Sequence, residues 1–181
     1  NYTFNTTATT SADITPRALT VGGIGISRVY DGTTNASVTP TDNRVAGDNL
    51  TLTGTPAFAD KHVGTAKTIN ITGITVTGTD AGNYTFNTSA TTTADITARA
   101  LTVSATGQNK VYDGTTNATV TLGDNRVAGD NLSLAGTASF VNKNVGTAKT
   151  INVTGINVTG TDAGNYSFHT TATTAADITA R

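Results

Sequence analysis

The chain has 181 residues with 11 basic and 12 acidic side chains, a formal net charge of -1, and no Cys, Met, Trp or Glu. Scattered, nearly balanced charge gives no footprint for nucleic acid or an anionic membrane surface, and no apolar run approaches the roughly 18 residues needed to span a bilayer. With 43 Thr and an acidic set made only of Asp, the composition suits strands and turns, and the lack of cysteine is compatible with secretion without fixing the compartment.

Residues 1–17 match 83–99 and 165–181, so they read as the C-terminal remnant of a preceding repeat in a longer chain. Residues 18–99 and 100–181 align without a gap and share 60 identities over 82 positions. A unit of that length is too large for one solenoid turn and large enough for its own small core. The chain is therefore expected to hold two β units, 18–99 and 100–181.

Within the second unit, Leu101 and Val103 alternate with polar residues and lead to Val111-Tyr112-Asp113-Gly114, a strong turn or corner signal repeated as Tyr30-Asp31-Gly32. Ala118, Val120 and Leu122 share one parity. A polar loop, Asp124 to Asn131, follows, and Leu132, Leu134 and Phe140 resume the inward face. Ile151 and Val153 have odd parity but Ile156 and Val158 even, so Gly155 is expected to mark a bulge or turn that returns both pairs to the core. Then comes Gly160-Thr161-Asp162-Ala163-Gly164-Asn165-Tyr166-Ser167-Phe168, which repeats Gly78 to Phe86. Asp80 and Asp162 should set a turn by bonding nearby backbone, Gly82 and Gly164 by accepting positive φ, and Tyr84 and Tyr166 should open a core strand.

Asp-x-Gly-x-Tyr resembles the tyrosine corner of immunoglobulin-type sandwiches, where the hydroxyl bonds back to preceding backbone; a plain hairpin turn beside a core tyrosine is the other reading. About seven short strands per unit point to tandem immunoglobulin-like β-sandwiches arranged end to end, with a β-grasp-like repeat as the alternative. Only Thr97-Ala98-Arg99-Ala100 separates Ile96 from Leu101, with neither Gly nor Pro, and Pro16 stiffens the earlier junction. A semi-rigid rod is expected.

No catalytic constellation is legible, and an enzyme is not expected. His62 and His169 stand alone, with Asn144 and Asn87 at the equivalent positions, and read as surface residues. Asp42, Asp48, Asp80, Asp124, Asp130 and Asp162 are candidate calcium ligands, although the spacing lacks an EF-hand ladder and Asp-Asn is ordinary turn chemistry. No other cofactor is implied. Lys67 or Lys149 is a candidate for an isopeptide crosslink to an Asn. Twelve Asn-x-Ser/Thr triplets occur, at Asn1, Asn5, Asn35, Asn49, Asn70, Asn83, Asn87, Asn117, Asn131, Asn152, Asn157 and Asn165. A solvated strand face of Asn and Thr produces such triplets by itself, and acceptor sites for sugar are the alternative.

Val-Tyr-Asp-Gly-Thr-Thr at 29–34 and 111–116, Asp-Asn-Arg-Val-Ala-Gly-Asp-Asn-Leu at 42–50 and 124–132, Val-Gly-Thr-Ala-Lys at 63–67 and 145–149, and the Asp-Ala-Gly-Asn-Tyr corner together resemble the YDG-type repeat. That repeat occurs in tandem in very large secreted bacterial proteins similar to filamentous haemagglutinin adhesins. The resemblance implies an extracellular, cell-surface stalk whose units matter for fold only and whose partners are neighbouring repeats of the same chain. Host or surface glycans would be met by other regions, and the fragment would be a monomer. The competing class of function is a weak, multivalent carbohydrate- or surface-binding module.

Overall fold

A computed structural model describes residues 1–181 and is built almost wholly of strands. The first unit contains β1 (Arg17–Leu19), β2 (Gly22–Ile26), β3 (Arg28–Val29), β4 (Ser37–Thr41), β5 (Thr51–Phe58), β6 (Gly64–Thr77), β7 (Tyr84–Phe86) and β8 (Ser89–Thr97). The second repeats the series as β9 (Arg99–Leu101), β10 (Val103–Gly107), β11 (Lys110–Val111), β12 (Val120–Asp124), β13 (Ser133–Phe140), β14 (Gly146–Thr159), β15 (Tyr166–Phe168) and β16 (Ala172–Thr179). Residues 1–16 carry no strand and are exposed. The only helices are 3-10 turns of three residues, Ala81–Asn83 and Ala163–Asn165, so the helix that a β-grasp arrangement lays across its sheet is missing.

In each unit a curled four-stranded sheet has the order β3-β8-β6-β5, or β11-β16-β14-β13, with the first pair parallel and the others antiparallel. The hairpin-like pair β2–β4, or β10–β12, and a short parallel pair, β1–β7 or β9–β15, complete the half-barrel. β2 lies tight on the sheet, since a Cβ on Gly25 would meet the Thr93 carbonyl oxygen at 2.4 Å.

The 14-residue strands β6 and β14 form the spine, and their parity switch is resolved as expected from the sequence. Gly155 has φ 61, and the register opposite it passes from Ala135↔Asn157 to Thr137↔Thr154, so two residues oppose Gly136 alone. Ile151, Val153, Ile156 and Val158 all end up buried. A second bulge, which sequence reading did not find, lies near the start of the same strand, where Ala66 and Ala148 adopt φ 48 and 46. Their amides donate at 2.8 Å to the Asp95 and Asp177 carboxylates, which hold an alanine where glycine would be relaxed.

Opposite substitutions at these bulges should move stability in opposite directions. Gly155→Ala meets no atom within 4 Å, so its cost of about 1 kcal/mol comes from the backbone alone. Ala148→Gly should gain a few tenths of a kcal/mol by relieving the left-handed alanine. Urea unfolding of the two variants beside the parent chain checks both signs.

Candidate functional site

The groups with the most unusual environments lie where the units meet, not in a cleft. β8 ends at Thr97 and β9 begins at Arg99, so Ala98 alone separates strands that belong to different units. The main core cluster runs across this boundary, joining Leu19, Tyr30, Phe58 and Ile69 of the first unit to Leu101, Leu132, Val158 and Tyr166 of the second. The rest of the second unit has its own cluster around Ile151 and Phe140.

The Tyr-Asp-Gly corner supplies one side of the joint. The Asp31 carboxylate accepts from the Thr33 amide and hydroxyl, each at 2.8 Å, closing a local turn that Arg28 also clamps. Asp113 does the same with Thr115 and Lys110, and its carboxyl is lowered to about 2 by the lysine and then by the Thr115 amide. Gly32 has φ 82, and a Cβ there would meet the Val127 side chain of the next unit at 2.8 Å. With the turn set in this way, Tyr30 projects into the second unit and is fully buried.

Asp130 receives it. The Tyr30 hydroxyl reaches both carboxylate oxygens at 3.0 and 2.9 Å, and the Tyr166 hydroxyl donates to the same carboxylate at 2.6 Å. The two rings meet edge to face at 5.6 Å. Lys61 Nζ lies 3.2 Å from Asp130 and 3.0 Å from Asp162, bridging two aspartates whose side chains are only 3% and 11% exposed. The Val63 amide donates to Asn165 Oδ1 at 3.0 Å, and Asn165 Nδ2 faces His62 Nδ1 at 3.3 Å. The lysine is raised by its contacts with Asp162, Tyr30 and Asp130. Asp162 is held low by the Asn131 amide and then by Lys61, while burial and Asp130 push Tyr166 up to about 12.

Three local readings of the sequence are corrected here. The Tyr84 and Tyr166 hydroxyls do accept backbone amides, but those of Val45 and Val127, which lie 39 residues upstream in the polar loop. The left-handed glycines of the corner are Gly78 and Gly160, at φ 126 and 125, where a Cβ would strike Asn49 or Asn131 carbonyl oxygen at 2.2 Å. Gly82 and Gly164 sit in the 3-10 turns without positive φ. Asp80 and Asp162 make no cap bond and reach across to the Asn49 and Asn131 amides instead.

The six aspartates considered for calcium are all in use by protein donors. Asp42 and Asp124 pair with Arg44 and Arg126, Asp48 with the Tyr84 hydroxyl, Asp80 with the Asn49 amide, and Asp130 and Asp162 with the joint. No three such side chains gather closely enough to hold a metal ion. Lys149 meets the exposed Asn142 side chain, but Lys67 meets Asp60, and neither contact is enclosed. His169 is exposed. Among the triplet asparagines, Asn165 is buried in the joint and Asn87 is half-buried, bonded to Val21, while the others are exposed. A cleft of about 330 Å³ under the first hairpin, lined by Val21, Val38, Leu52, Ile71 and Ile74, contains no titratable side chain.

Sequence reading missed Lys61, Val63 and Asn165 as joint residues. A signal was present: Lys61 recurs as Lys143 although its neighbours Asp60 and His62 become Asn142 and Asn144.

Residues 15–94 and 97–175 each match the family model described as the YDG domain. No curated protein and no solved structure matches the chain.

The pKa directions give the joint a pH window. Asp162 contributes stability that is present above the ordinary Asp value of about 3.9 and lost as pH falls through its lowered value. Lys61 and Tyr166 contribute stability that is complete below their ordinary values of about 10 and lost as pH rises through their raised ones. NMR relaxation should therefore find the two units tumbling together at neutral pH and uncoupling toward both extremes. Asp130→Ala, which strips both tyrosine hydroxyls of their acceptor and leaves Lys61 with Asp162 alone, should cost about 3 kcal/mol and separate the unfolding of the units. Asp48→Ala, at the equivalent open position, should cost about 1 kcal/mol, the worth of its tyrosine bond.

Proposed function

This chain belongs to the YDG domain family, in two tandem copies, and on that premise we propose that it is a structural spacer within a large bacterial cell-surface or secreted adhesin. Its units would stack end to end outside the cell and project a distal binding region. The observation that carries this reading is the joint: a core shared between units, one linking residue, and a buried Tyr–Asp–Lys network that fixes how one unit sits on the next. A flexible tether needs none of these, whereas a strut needs all of them.

Each unit is read as a small sandwich, immunoglobulin-like in placing a hairpin against a curled sheet although not in strand order, because two of its pairings are parallel. The long strand β6 alone would reach about 45 Å at ~3.3 Å per residue, so reach is gained economically. A role confined to folding and stacking also accounts for the motif side chains of Asp31, Asp113, Tyr30, Tyr84, Tyr166, Asp80 and Asp162, which are occupied by bonds within or between units.

Small-angle scattering of the two-unit chain should give a maximum dimension near two unit lengths. A value near one, from a pair folded back on itself, would remove the spacer reading. Glycan-array and cell-binding assays should show no saturable binding, and clear binding would favour the multivalent module instead. A chelator should leave the unfolding temperature unchanged.

A further inference from the structure

Tension along the backbone meets each unit through two strands. It enters at β1 or β9, leaves at the end of β8 or β16, and between the units crosses the single residue Ala98. The entry strand is bonded to the strand that leads out. β1 lies parallel to β7, with Arg17 opposite Tyr84 and Leu19 opposite Phe86, and β7 runs on through Asn87 and Thr88 into β8. β9 and β15 repeat the arrangement, with Arg99 opposite Tyr166 and Leu101 opposite Phe168. A parallel pair pulled at the N-terminal end of one strand and the C-terminal end of the other is sheared, so its evenly spaced bonds are strained together instead of opening one by one.

The exit strand is anchored behind this pair. β8 lies between β3 and β6, and β3 is parallel to it as well. The Tyr30 amide donates to the Thr97 carbonyl at 2.9 Å, and the Thr97 hydroxyl donates to the Arg28 carbonyl at 3.3 Å. In the second unit the Tyr112 amide closes β11 on β16 through the Thr179 carbonyl, also at 2.9 Å. While β1 stays on β7 the chain from 20 to 83 is bypassed, and if β1 slips the pull falls on a second parallel pair.

One side chain distinguishes the two units on this path. Asn87 continues the β1–β7 ladder: its Oδ1 accepts the Val21 amide at 2.8 Å, and its Nδ2 donates to the Val21 carbonyl at 2.9 Å and the Ser89 carbonyl at 2.7 Å. The equivalent residue in the second unit is His169, which is exposed and makes no hydrogen bond. An open cleft walled by Val103, Ala105, His169 and Thr171 lies there instead.

We propose that the units bear tension, that the parallel pair at the entry of each unit holds it, and that Asn87 bolts this pair in the first unit. This role deepens the spacer reading and rests on it for the source of the load. It sets an order of yielding, in which the unbolted second unit opens before the first. The resistance is kinetic, fixed by the bonds that must break before a unit opens, and is separate from equilibrium stability.

Single-molecule stretching of the full chain held at its two ends, beside urea unfolding, tests this. Two rupture events are expected, each releasing roughly 240 Å, the extended length of one unit less its folded length. Loss of the Asn87 bonds should speed rupture about tenfold, the worth of roughly one net hydrogen bond. Asn87→His should bring the stronger event down to the force of the weaker one, and His169→Asn should raise the weaker one. Each swap introduces the residue with which the other unit already folds. Leu52→Ala, in β5 and off the path, should lower the urea midpoint yet leave both rupture forces unchanged. Rupture forces that ignore Asn87→His overturn the clamp, and so does Leu52→Ala lowering them as far. A chain that scatters as a straight rod but ruptures without regard to residue 87 would remove the clamp and leave the spacer. A folded-back pair whose rupture still follows residue 87 would remove the spacer and uphold the clamp.

Discussion

A single carboxylate, that of Asp130, ties the two halves of the molecule together. It lies 8% exposed, accepts from two tyrosine hydroxyls in different units and faces Lys61 at 3.2 Å. A buried carboxylate without donors is expensive, and one with three donors in fixed places is directional. The donors come from loops that only a correctly folded unit presents. The joint therefore forms when both units are folded and in one relative orientation, and hydrophobic burial of Tyr30 supplies much of the drive.

The Tyr-Asp-Gly motif divides its labour accordingly. Asp31 works inside its own unit, gathering the Thr33 amide and hydroxyl, and Asp113 gathers those of Thr115 in the same way. Gly32 permits the positive φ in both copies, but only at the joint does its missing side chain matter for contact. Tyr30 points outward from its own unit, so its burial is a property of the pair. Tyr112 shows the same residue with half the job undone: it packs on its own core and keeps an unpartnered hydroxyl.

Much of the architecture was legible because alternation and turn chemistry are local. The odd-to-even switch at Ile151, Val153, Ile156 and Val158 forced a bulge at Gly155, and the bulge is there. The bulge at Ala148 was invisible, because an alanine at positive φ leaves no mark in sequence and is held only by Asp177, 29 residues away. The corner was misassigned between neighbours: Gly78 and Gly82 look alike in sequence, and only the approach of the Asn49 carbonyl decides which one needs glycine. Parallel pairing of β3 with β8 was likewise out of reach, since β3 has only two residues and no pattern of its own. The joint failed for a related reason. Tyr30 and Lys61 converge on Asp130 from 100 and 69 residues away, and nothing along the chain announces that three turns will meet.

The polar network set into the joint's shared core has a physical consequence for a chain of repeats. Any unit at the end of a row shows one half of the contact to water, so an apolar face would leave a sticky patch at each terminus. Tyrosine, lysine and aspartate are soluble when open, as Lys143 and Asp48 are here, and acquire strength only when desolvated together. A polar joint is also specific: the edge-to-face tyrosines and the Lys61 bridge allow one rotation between units, whereas smooth apolar faces would allow several. In the spacer we propose, the same few atoms would set the angle at each joint, so that direction would pass from unit to unit by repetition of one local geometry and a thin core in each unit would be compatible with stiffness over a longer distance.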